Sequence, residues 1–301
     1  MTEYGVEQKP SETALIAALR RTMAYKEYQG SRFGPDYLAE YFLPPHFRFF
    51  LKFRKIRTNT KEKLDAAFPG IAEYIIARTV YFDSLFVTAL NDRTTQIVLL
   101  GAGYDSRAYR FAKLIHDTKI FELDIAPTQE RKKNCLIKAK INIPQQVVFA
   151  PIDFNHESLK DVLERAGFQN NQKTLLIWEG VSYYLDPDAV DATLEFFSHS
   201  SHPESVIAFD YSISIPEENL MDYYGAKEFF QTMKEQHADE ELTFSIDEGK
   251  LESFFEQRNL KMVEHLDKEV IERRFLTDDD GLMIGQIPGH FRFVLAAPKS
   301  P

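Results

Sequence analysis

Cysteine and tryptophan are almost missing from this sequence of 301 residues, which contains one of each. The single cysteine, Cys135, excludes a disulfide within the chain and indicates a reducing compartment. No apolar run approaches the ~20 residues that a membrane-spanning helix needs. The first residues, Met1–Glu7, have neither the basic start nor the apolar stretch of a signal peptide. We therefore expect a cytoplasmic protein with no membrane partner.

Positive charge is also scarce, because 36 lysines and arginines face 46 acidic residues and leave a net charge of −10. A nucleic-acid partner requires a basic face and is not expected. One local excess of positive charge remains, at Arg48, Lys52, Arg54, Lys55, Arg57, Lys61 and Lys63. A solvated face is the simpler interpretation of this run, and a contact with an anionic substrate or partner is the alternative.

Aromatic residues, in contrast, are abundant, with 25 phenylalanines and 14 tyrosines. They indicate a phenylalanine-rich core or, alternatively, an apolar pocket for an organic substrate. The 44% hydrophobic content is typical of a globular protein with a sizeable core.

From Gln96 onward, short apolar segments alternate with segments of helical pattern. The strand candidates are Ile97–Leu100, Lys119–Leu123, Val147–Ala150, Thr174–Trp178 and Ser205–Asp210. The helix candidates between them are Ser106–His116, Thr128–Ala139, Ser158–Ala166 and Pro187–Ser198. This alternation predicts an α/β fold in which helices cover both faces of a mainly parallel sheet.

The end of the chain departs from this alternation. After a predicted helix over Asp247–Gln257, strand patterns occur at Met262–His265 and Gly289–Ala297, and we predict no helix between them. Two strands without a crossover helix pair antiparallel. The sequence therefore predicts a Rossmann-like, mostly parallel seven-stranded sheet with an antiparallel C-terminal strand, whereas a dehydrogenase would end in a parallel sixth strand.

Residues 1–91 are predicted to form a helical cap that belongs to the same domain as a core at 92–301. The predicted helices are Ser11–Glu27, Asp36–Phe42, Lys61–Phe68 and Ile71–Leu90. In the last of them Arg78 lies on the apolar face, where an unpaired guanidinium would be very costly. It requires either a core Asp or Glu or the carboxylate of a bound ligand.

Gly101 and Gly103 follow the first predicted strand and precede a helix. Without side chains, they allow a ligand to approach the backbone at the carboxyl edge of the sheet. The third glycine of the dinucleotide fingerprint is replaced by Ser106. The spacing is consistent with a nucleoside ligand that has no pyrophosphate to place at the helix N-terminus.

Carboxylates follow the next three strands at their carboxyl ends. Glu122 and Asp124 close the second strand, Asp153 follows the third and Glu179 the fourth. Each alone is compatible with a helix N-cap or a surface loop, but together they predict an acidic edge of the sheet. Such an edge suits the sulfonium and ammonium of S-adenosylmethionine better than an anionic dinucleotide.

Four segments carry a resemblance to a known family: Leu99–Arg110 (LLGAGYDSRAYR), Ala77–Asp83 (ARTVYFD), Phe121–Asp124 (FELD) and Trp178–Leu185 (WEGVSYYL). With them the sequence resembles, from about Arg20 to Asp210, the leucine carboxyl methyltransferase family and its bacterial relatives. The resemblance implies a class I methyltransferase fold with an N-terminal helical cap, and S-adenosyl-L-methionine as the cofactor.

The resemblance also implies residue roles. Arg78 would bind the methionine carboxylate of the donor, Gly101 would lie against the donor, and Asp124 would bind the ribose hydroxyls. Asp153 and Phe154 would hold the adenine, and Glu179 would face the amino group. For the basic residue that the family uses in its first helix, Arg20, Arg21 and Lys26 all compete. Tyr183 and Tyr184 are candidates for the wall of the acceptor pocket or, equally, for core positions.

The sequence thus predicts an O-methyltransferase that acts on a carboxyl or hydroxyl oxygen of a small molecule or peptide. No general base is evident: His156, the histidine nearest in sequence to Asp153, is expected on a surface loop. No metal site is expected, since the acidic turn Thr277–Gly281 lacks EF-hand spacing. The alternatives are an NAD-dependent oxidoreductase and a non-catalytic, donor-binding regulatory protein.

Overall fold

The computed structural model describes residues 9–154, 156–200, 202–236 and 242–299. The helices are α1 (Glu12–Tyr28), α2 (Pro45–Phe50), α3 (Arg54–Ala67), α4 (Ile71–Asn91), α5 (Arg107–Arg110), α6 (Ala126–Lys138), α7 (Leu159–Arg165), α8 (Pro187–Ser200), α9 (Ala226–Gln236), α10 (Leu251–Glu256) and α11 (Lys268–Phe275). The strands are β1 (Gln96–Leu100), β2 (Lys119–Asp124), β3 (Val147–Pro151), β4 (Thr174–Trp178), β5 (Val206–Ser214), β6 (Ile246–Asp247), β7 (Leu260–Leu266) and β8 (Phe291–Pro298).

One sheet joins all of these strands in the order β3-β2-β1-β4-β5-β8-β7, and the short β6 pairs with β5 beside this path. The pairs among β1 to β5 are parallel. Strand β8 runs antiparallel to both of its neighbours, β5 and β7. The predicted seven-stranded sheet with an antiparallel C-terminal strand is therefore confirmed, and the two-residue β6 adds an eighth strand.

The central strands are buried on both faces, which explains their unbroken apolar sequences. In β1, Ile97 and Leu99 contribute to one core cluster, and Val98 and Leu100 to the other. Successive side chains point to opposite faces of a strand, so a strand covered on both sides needs apolar residues at every position. Helices α1, α4 and α11 cover the first face, and α7, α8 and α10 cover the second.

The N-terminal helices differ in how deeply they are buried. Helix α1 begins at a cap, where the Ser11 hydroxyl accepts a hydrogen bond from the Ala14 amide. Helix α4 is buried along most of its 21 residues, including Arg78. Helices α2 and α3 contain no buried residue. Of the described residues, no helix combines the length and the apolar character needed to cross a membrane.

The prediction of a helix-free connection between the last two strands is wrong, although the strands do pair antiparallel. Helix α11 lies in this connection and is capped by Asp267, whose carboxylate accepts from the Val270 amide. Its apolar side chains Ile271 and Phe275 pack into the core with α4. Other predicted helices are shorter or less regular: α10 replaces Asp247–Gln257, and α5 with a 3-10 turn replaces Ser106–His116.

Candidate active site at the carboxyl ends of the strands

A cavity of about 780 Å³ opens where β1, β2 and β4 end. One part of its wall comes from the residues that follow these strands, and another part comes from α1, α3, α4 and α9. Eight of the nine residues predicted for the site line it: Arg78, Gly101, Gly103, Asp124, Phe154, Glu179, Tyr183 and Tyr184. The structure therefore brings together residues that are up to about a hundred positions apart in the sequence.

The glycine loop approaches two other elements too closely for side chains. Gly101 and Gly103 have φ of +62° and +42°, in the left-handed region that favours glycine. A Cβ at Gly101 would lie 2.4 Å from Val181 Cγ2, and one at Gly103 would lie 3.0 Å from the Cβ of Ala14 on α1. The loop thus exposes bare backbone to the cavity.

Asp124, at the end of β2, holds this loop in place through hydrogen bonds. Its carboxylate accepts hydrogen bonds from the amide of Gly103 at 2.6 Å and from its neighbour Ile125 at 2.8 Å. Burial raises the pKa of Asp124 above the ordinary value, and the backbone donors oppose this rise in part.

Glu122, two residues earlier on the same strand, has a structural role. Its carboxylate lies 2.7 Å from Lys132 Nζ on α6 and accepts from the Tyr109 hydroxyl at 2.9 Å. Both charged side chains are buried, and in the ion pair each balances the charge of the other.

Arg78 has two carboxylate partners within the chain. Its Nε donates to Glu179 at 3.1 Å, and its Nη1 lies 3.3 Å from Asp210, in the middle of β5. Nη1 also donates to the Tyr183 hydroxyl at 3.1 Å. The ion pair with core carboxylates, one of the two partners expected for this arginine, is thus present, and Arg78 remains part of the cavity wall.

The two carboxylates beside Arg78 differ in their electrostatics. Burial disfavours ionisation of Glu179, but Arg107 and Arg78 outweigh it and lower the pKa of Glu179 below the ordinary value. Arg107 Nη1 lies 2.7 Å from this carboxylate. At Asp210 burial prevails over Arg78 and raises the pKa. Tyr74 and Tyr183 both donate hydrogen bonds to Asp210.

A second ion-pair cluster holds the segment after the glycine loop against α4. Asp83 accepts from Arg107 Nε at 2.8 Å and from both terminal nitrogens of Arg110, at 2.6 and 2.7 Å. Arg107 also donates to Asp105 at 2.5 Å. Bidentate pairs of this kind fix geometry as well as charge. The pair of Asp83 and Arg107 joins two of the segments quoted above.

Asp153 is the predicted residue that does not line the cavity, whereas its neighbour Phe154 does. The Asp153 carboxylate lies 3.9 Å from Nε2 of His156, whose side chain is mostly exposed, as expected for a surface loop.

Of the three basic candidates on α1, two reach the cavity. Arg21 is held by Asp36 and by the carbonyl of Tyr104, both at 2.9 Å, and Arg20 pairs with Asp65 on α3 at 2.7 Å. Lys26 instead pairs with Glu40 at 2.8 Å and does not line the cavity.

The edge of the sheet is not purely acidic, as its sequence suggests. Arginines lie against Asp105, Glu179 and Asp210, and Lys132 lies against Glu122, because buried carboxylates require cations. Two further residues of this cluster, Asp210 and Asp83, were not predicted. Asp210 lies within β5, which continues to Ser214. It is the last residue of the strand predicted over Ser205–Asp210, so the rule used for the earlier strands would have found it. Among the described residues, no group of three or more His, Cys, Asp and Glu side chains is arranged to hold a metal ion.

The strand order, the glycine loop after β1 and the carboxylate after β2 define a class I S-adenosylmethionine-dependent methyltransferase. Within that class, a family model described as leucine carboxyl methyltransferase matches residues 14–198, more than half of the sequence. The chain belongs to the leucine carboxyl methyltransferase family, and its cofactor is S-adenosylmethionine.

Similar proteins agree with this assignment. A Bacillus subtilis protein provisionally named as an S-adenosyl-L-methionine-dependent methyltransferase is 31% identical over 206 residues, which are 67% of this chain and 66% of the relative. A Mycobacterium avium protein with the same provisional name is 29% identical over 69% of each chain.

Two solved structures match almost the whole chain. A provisionally named methyltransferase from Thermobifida fusca has a TM-score of 0.58 at 13% identity, covering 97% of this chain and 96% of its own. A DUF574 family protein from Streptomyces avermitilis has a TM-score of 0.59 at 11% identity, covering 97% and 98%. At such low identity these likenesses show the fold alone.

Proposed function

We propose that this protein transfers the methyl group of S-adenosylmethionine to a carboxyl or hydroxyl oxygen of a small molecule or peptide. The charge balance of the cavity wall carries the proposal. On the side of the strand ends, six carboxylates line the cavity or contact its arginines, against four arginines. The carboxylates are Asp36, Asp83, Asp105, Asp124, Glu179 and Asp210, and the arginines are Arg21, Arg78, Arg107 and Arg110. The excess of negative charge favours a cationic ligand.

The residues present fit this donor. Gly101 and Gly103 line the cavity without side chains, and a Cβ at either would press against Val181 or Ala14 in the same wall. We assign Asp124 to the ribose hydroxyls, Arg78 to the donor carboxylate and Glu179 to the donor ammonium. Phe154, with Asp153 beside it, is assigned to the adenine.

The acceptor is assigned to the other part of the cavity, where apolar side chains of α3, α4 and α9 prevail. They are Leu64, Ala67, Phe68, Ile71, Phe229 and Met233. Tyr183 and Tyr184, whose rings lie 4.7 Å apart, would separate this part from the donor. The helices before residue 91 would then act as a cap of the same domain. This lining supports an acceptor with an apolar body, and Arg20 at its edge supports an anionic group on that body.

The chemistry requires alignment more than proton transfer. S-adenosylmethionine supplies an electrophilic methyl group, which passes to the acceptor oxygen while the electron pair of the broken bond stays with sulfur. A carboxylate acceptor is ionised at neutral pH and needs no base, so the chain has to orient it and exclude water. A hydroxyl acceptor would have to release its proton. The absence of an evident base in the cavity, among the described residues, supports the carboxylate.

A ligand panel with an acceptor screen tests the proposal. S-adenosylmethionine and S-adenosylhomocysteine should raise the midpoint temperature of thermal unfolding, because a ligand that binds the folded state stabilises it. NAD should leave this temperature unchanged. Release of S-adenosylhomocysteine should then identify carboxylic acids with apolar bodies among the candidate acceptors.

Other outcomes would support a different function. Stabilisation by NAD alone would favour the oxidoreductase, although that alternative predicts a parallel strand where β8 is antiparallel to β5. Donor binding without turnover of any carboxylic acid or hydroxyl compound would favour a regulatory protein. Transfer to nitrogen or carbon acceptors only would contradict the proposed oxygen chemistry.

A further inference from the structure

The segment between Glu40 and Glu62 carries charge of one sign only. Its 21 residues include six lysines and arginines and no carboxylate, in a chain with a net charge of −10. The same segment contains five phenylalanines. Helices α2 and α3 begin within it, and neither contains a buried residue.

Five large apolar side chains of this segment are exposed, and three of them are in contact. The exposed fractions are 45% for Phe47, 54% for Phe49, 48% for Phe50, 49% for Phe53 and 36% for Ile56. The ring of Phe49 contacts those of Phe50 and Phe53, at centroid distances of 5.8 and 5.5 Å. Scattered apolar residues on a surface need no explanation, but a contiguous group marks a site of interaction.

Three exposed cations are interspersed with these rings in the sequence: Lys52, Arg54 and Lys55. Within the ranges that the structure describes, none of the three forms an ion pair. Leu51 is buried and anchors the turn between α2 and α3, and Arg57 braces it by donating to the carbonyls of Leu51 and Lys52 at 3.0 and 3.2 Å. The turn that carries these rings and cations is therefore held in place by buried and hydrogen-bonded residues. We call Phe47, Phe49, Phe50, Phe53, Ile56, Lys52, Arg54 and Lys55 the aromatic-basic surface.

We propose that the aromatic-basic surface binds the protein to an anionic lipid bilayer. Aromatic and aliphatic side chains of such a surface enter the interface between headgroups and acyl chains, while adjacent lysines and arginines contact anionic headgroups. This is a peripheral contact that requires no membrane-spanning helix, and it revises the expectation of no membrane partner. It does not depend on the reaction proposed above.

The charge pattern argues against a second copy of the chain as the occupant. A twofold interface places the same surface on both subunits, so these cations would face one another. With no carboxylate among the 21 residues, nothing in the segment would neutralise them. Nucleic acid is disfavoured because stacking of bases needs ring faces that stand apart along a groove, whereas Phe49 contacts its two neighbours edge-on.

Vesicle co-sedimentation tests the proposal directly. The protein should sediment with vesicles of equimolar phosphatidylcholine and phosphatidylglycerol and not with phosphatidylcholine alone, and high salt should release it because exposed charges are screened. The double variant Phe49→Ser with Phe53→Ser, and the triple variant Lys52→Glu with Arg54→Glu and Lys55→Glu, should each lower the vesicle partition coefficient by about tenfold or more.

Matched variants elsewhere on the surface provide the control. Ile137 and Leu282 are 67% and 69% exposed, so Ile137→Ser with Leu282→Ser removes comparable apolar area. Lys113→Glu with Lys138→Glu and Lys140→Glu reverses three exposed charges. Both controls should sediment like the parent protein, and thermal unfolding should confirm that all variants are folded.

Several results would overturn the proposal. One is no sedimentation with the anionic vesicles, and another is an equal loss in the control variants. A third is a parent dimer that the aromatic variant converts to a monomer in light scattering while vesicle binding is unchanged, which would make the surface a contact between copies. Tight binding of single-stranded RNA that the same variants abolish, without vesicle binding, would also reject it.

Discussion

At the scale of single residues, Gly180 lies against the ion pairs that Arg78 forms with Glu179 and Asp210. Its φ is +71°, and a Cβ there would lie 2.7 Å from Nη1 of Arg78. Its amide also donates to Asp210 at 2.6 Å. The absence of a side chain at this position lets the Arg78 guanidinium reach both Glu179 and Asp210.

We therefore expect Gly180→Ala to destabilise the protein more than Gly167→Ala does. Gly167 also has a left-handed φ, of +86°, but no atom lies within 4 Å of its added Cβ. Gly167→Ala should cost about 1–2 kcal/mol from the backbone alone. Gly180→Ala should cost at least about 1 kcal/mol more, because the guanidinium must leave its buried partners. Urea unfolding measures both, and equal losses would show that Arg78 can move aside freely.

Asp124 offers a second test at this scale. In Asp124→Asn the charge is lost and an amide group faces the Gly103 amide, so one hydrogen bond to the loop is weakened. S-adenosylhomocysteine should bind about tenfold or more weakly, since a hydrogen bond to a charged group contributes about 1.5–3 kcal/mol. Asp117, exposed beyond the end of the preceding 3-10 turn, provides the control Asp117→Asn, which should leave the affinity unchanged. Calorimetric titration gives both constants, and unchanged affinity in Asp124→Asn would contradict its assignment.

Residue roles could be predicted where local sequence dictates them, and less well where the partner is distant. Gly101, Gly103 and Asp124 follow predictable strands, so their position at the carboxyl edge was available from the sequence. The partners of Arg78 were not, because Glu179 and Asp210 are 101 and 132 positions away. Periodicity showed that Arg78 is buried and charged, but only the fold decides which carboxylates surround it.

At the scale of elements, the parallel half of the sheet was predictable because its strands are buried on both faces and unbroken in hydrophobicity. Helix α3 was predicted only over its second half, from Lys61. Its first half presents exposed cations and no apolar stripe, so hydrophobic periodicity gave no signal there. Helix α11 did carry signals, the Asp267 cap and the apolar Ile271 and Phe275, within a segment that otherwise resembles a series of turns.

The shallow packing of α3 leads to a prediction about its dynamics. Amides of Arg54–Ala67 should exchange hydrogen faster than those of the buried α4, because helices with few buried contacts open at lower free energy. Asp65→Ala removes the partner of the buried Arg20 and should accelerate exchange in α3 further while α4 changes little.

Glu62→Ala provides the control for this experiment. Glu62 is exposed on the same helix and, among the described residues, forms no ion pair. If Glu62→Ala accelerates exchange in α3 as much as Asp65→Ala does, the ion pair between Arg20 on α1 and Asp65 on α3 does not stabilise α3 specifically.

At the scale of the whole molecule, His290 should make stability depend on pH. Its ring is fully buried beside Phe229, Phe230 and Phe291, and within the described part of the chain neither ring nitrogen has a hydrogen-bond partner. Burial, assisted by the nearby Arg292, lowers the pKa of His290 to about 3. The folded state therefore keeps this ring neutral in mildly acidic solution.

The sign of the effect follows from proton binding. An unfolded histidine has a pKa of about 6.5. Between about pH 6.5 and pH 3 the imidazole is therefore protonated in the unfolded state and neutral in the folded state. Stability should thus fall with decreasing pH in this window, by at most about 1.4 kcal/mol per pH unit for this group. His290→Phe should flatten the slope measured by urea unfolding between pH 6.5 and 5, above the range where most carboxylates titrate. His116→Gln, at an exposed position, should leave the slope unchanged. A slope that persists in His290→Phe would assign the dependence to other groups, first to His265, whose pKa is lowered by desolvation and by the nearby Arg292.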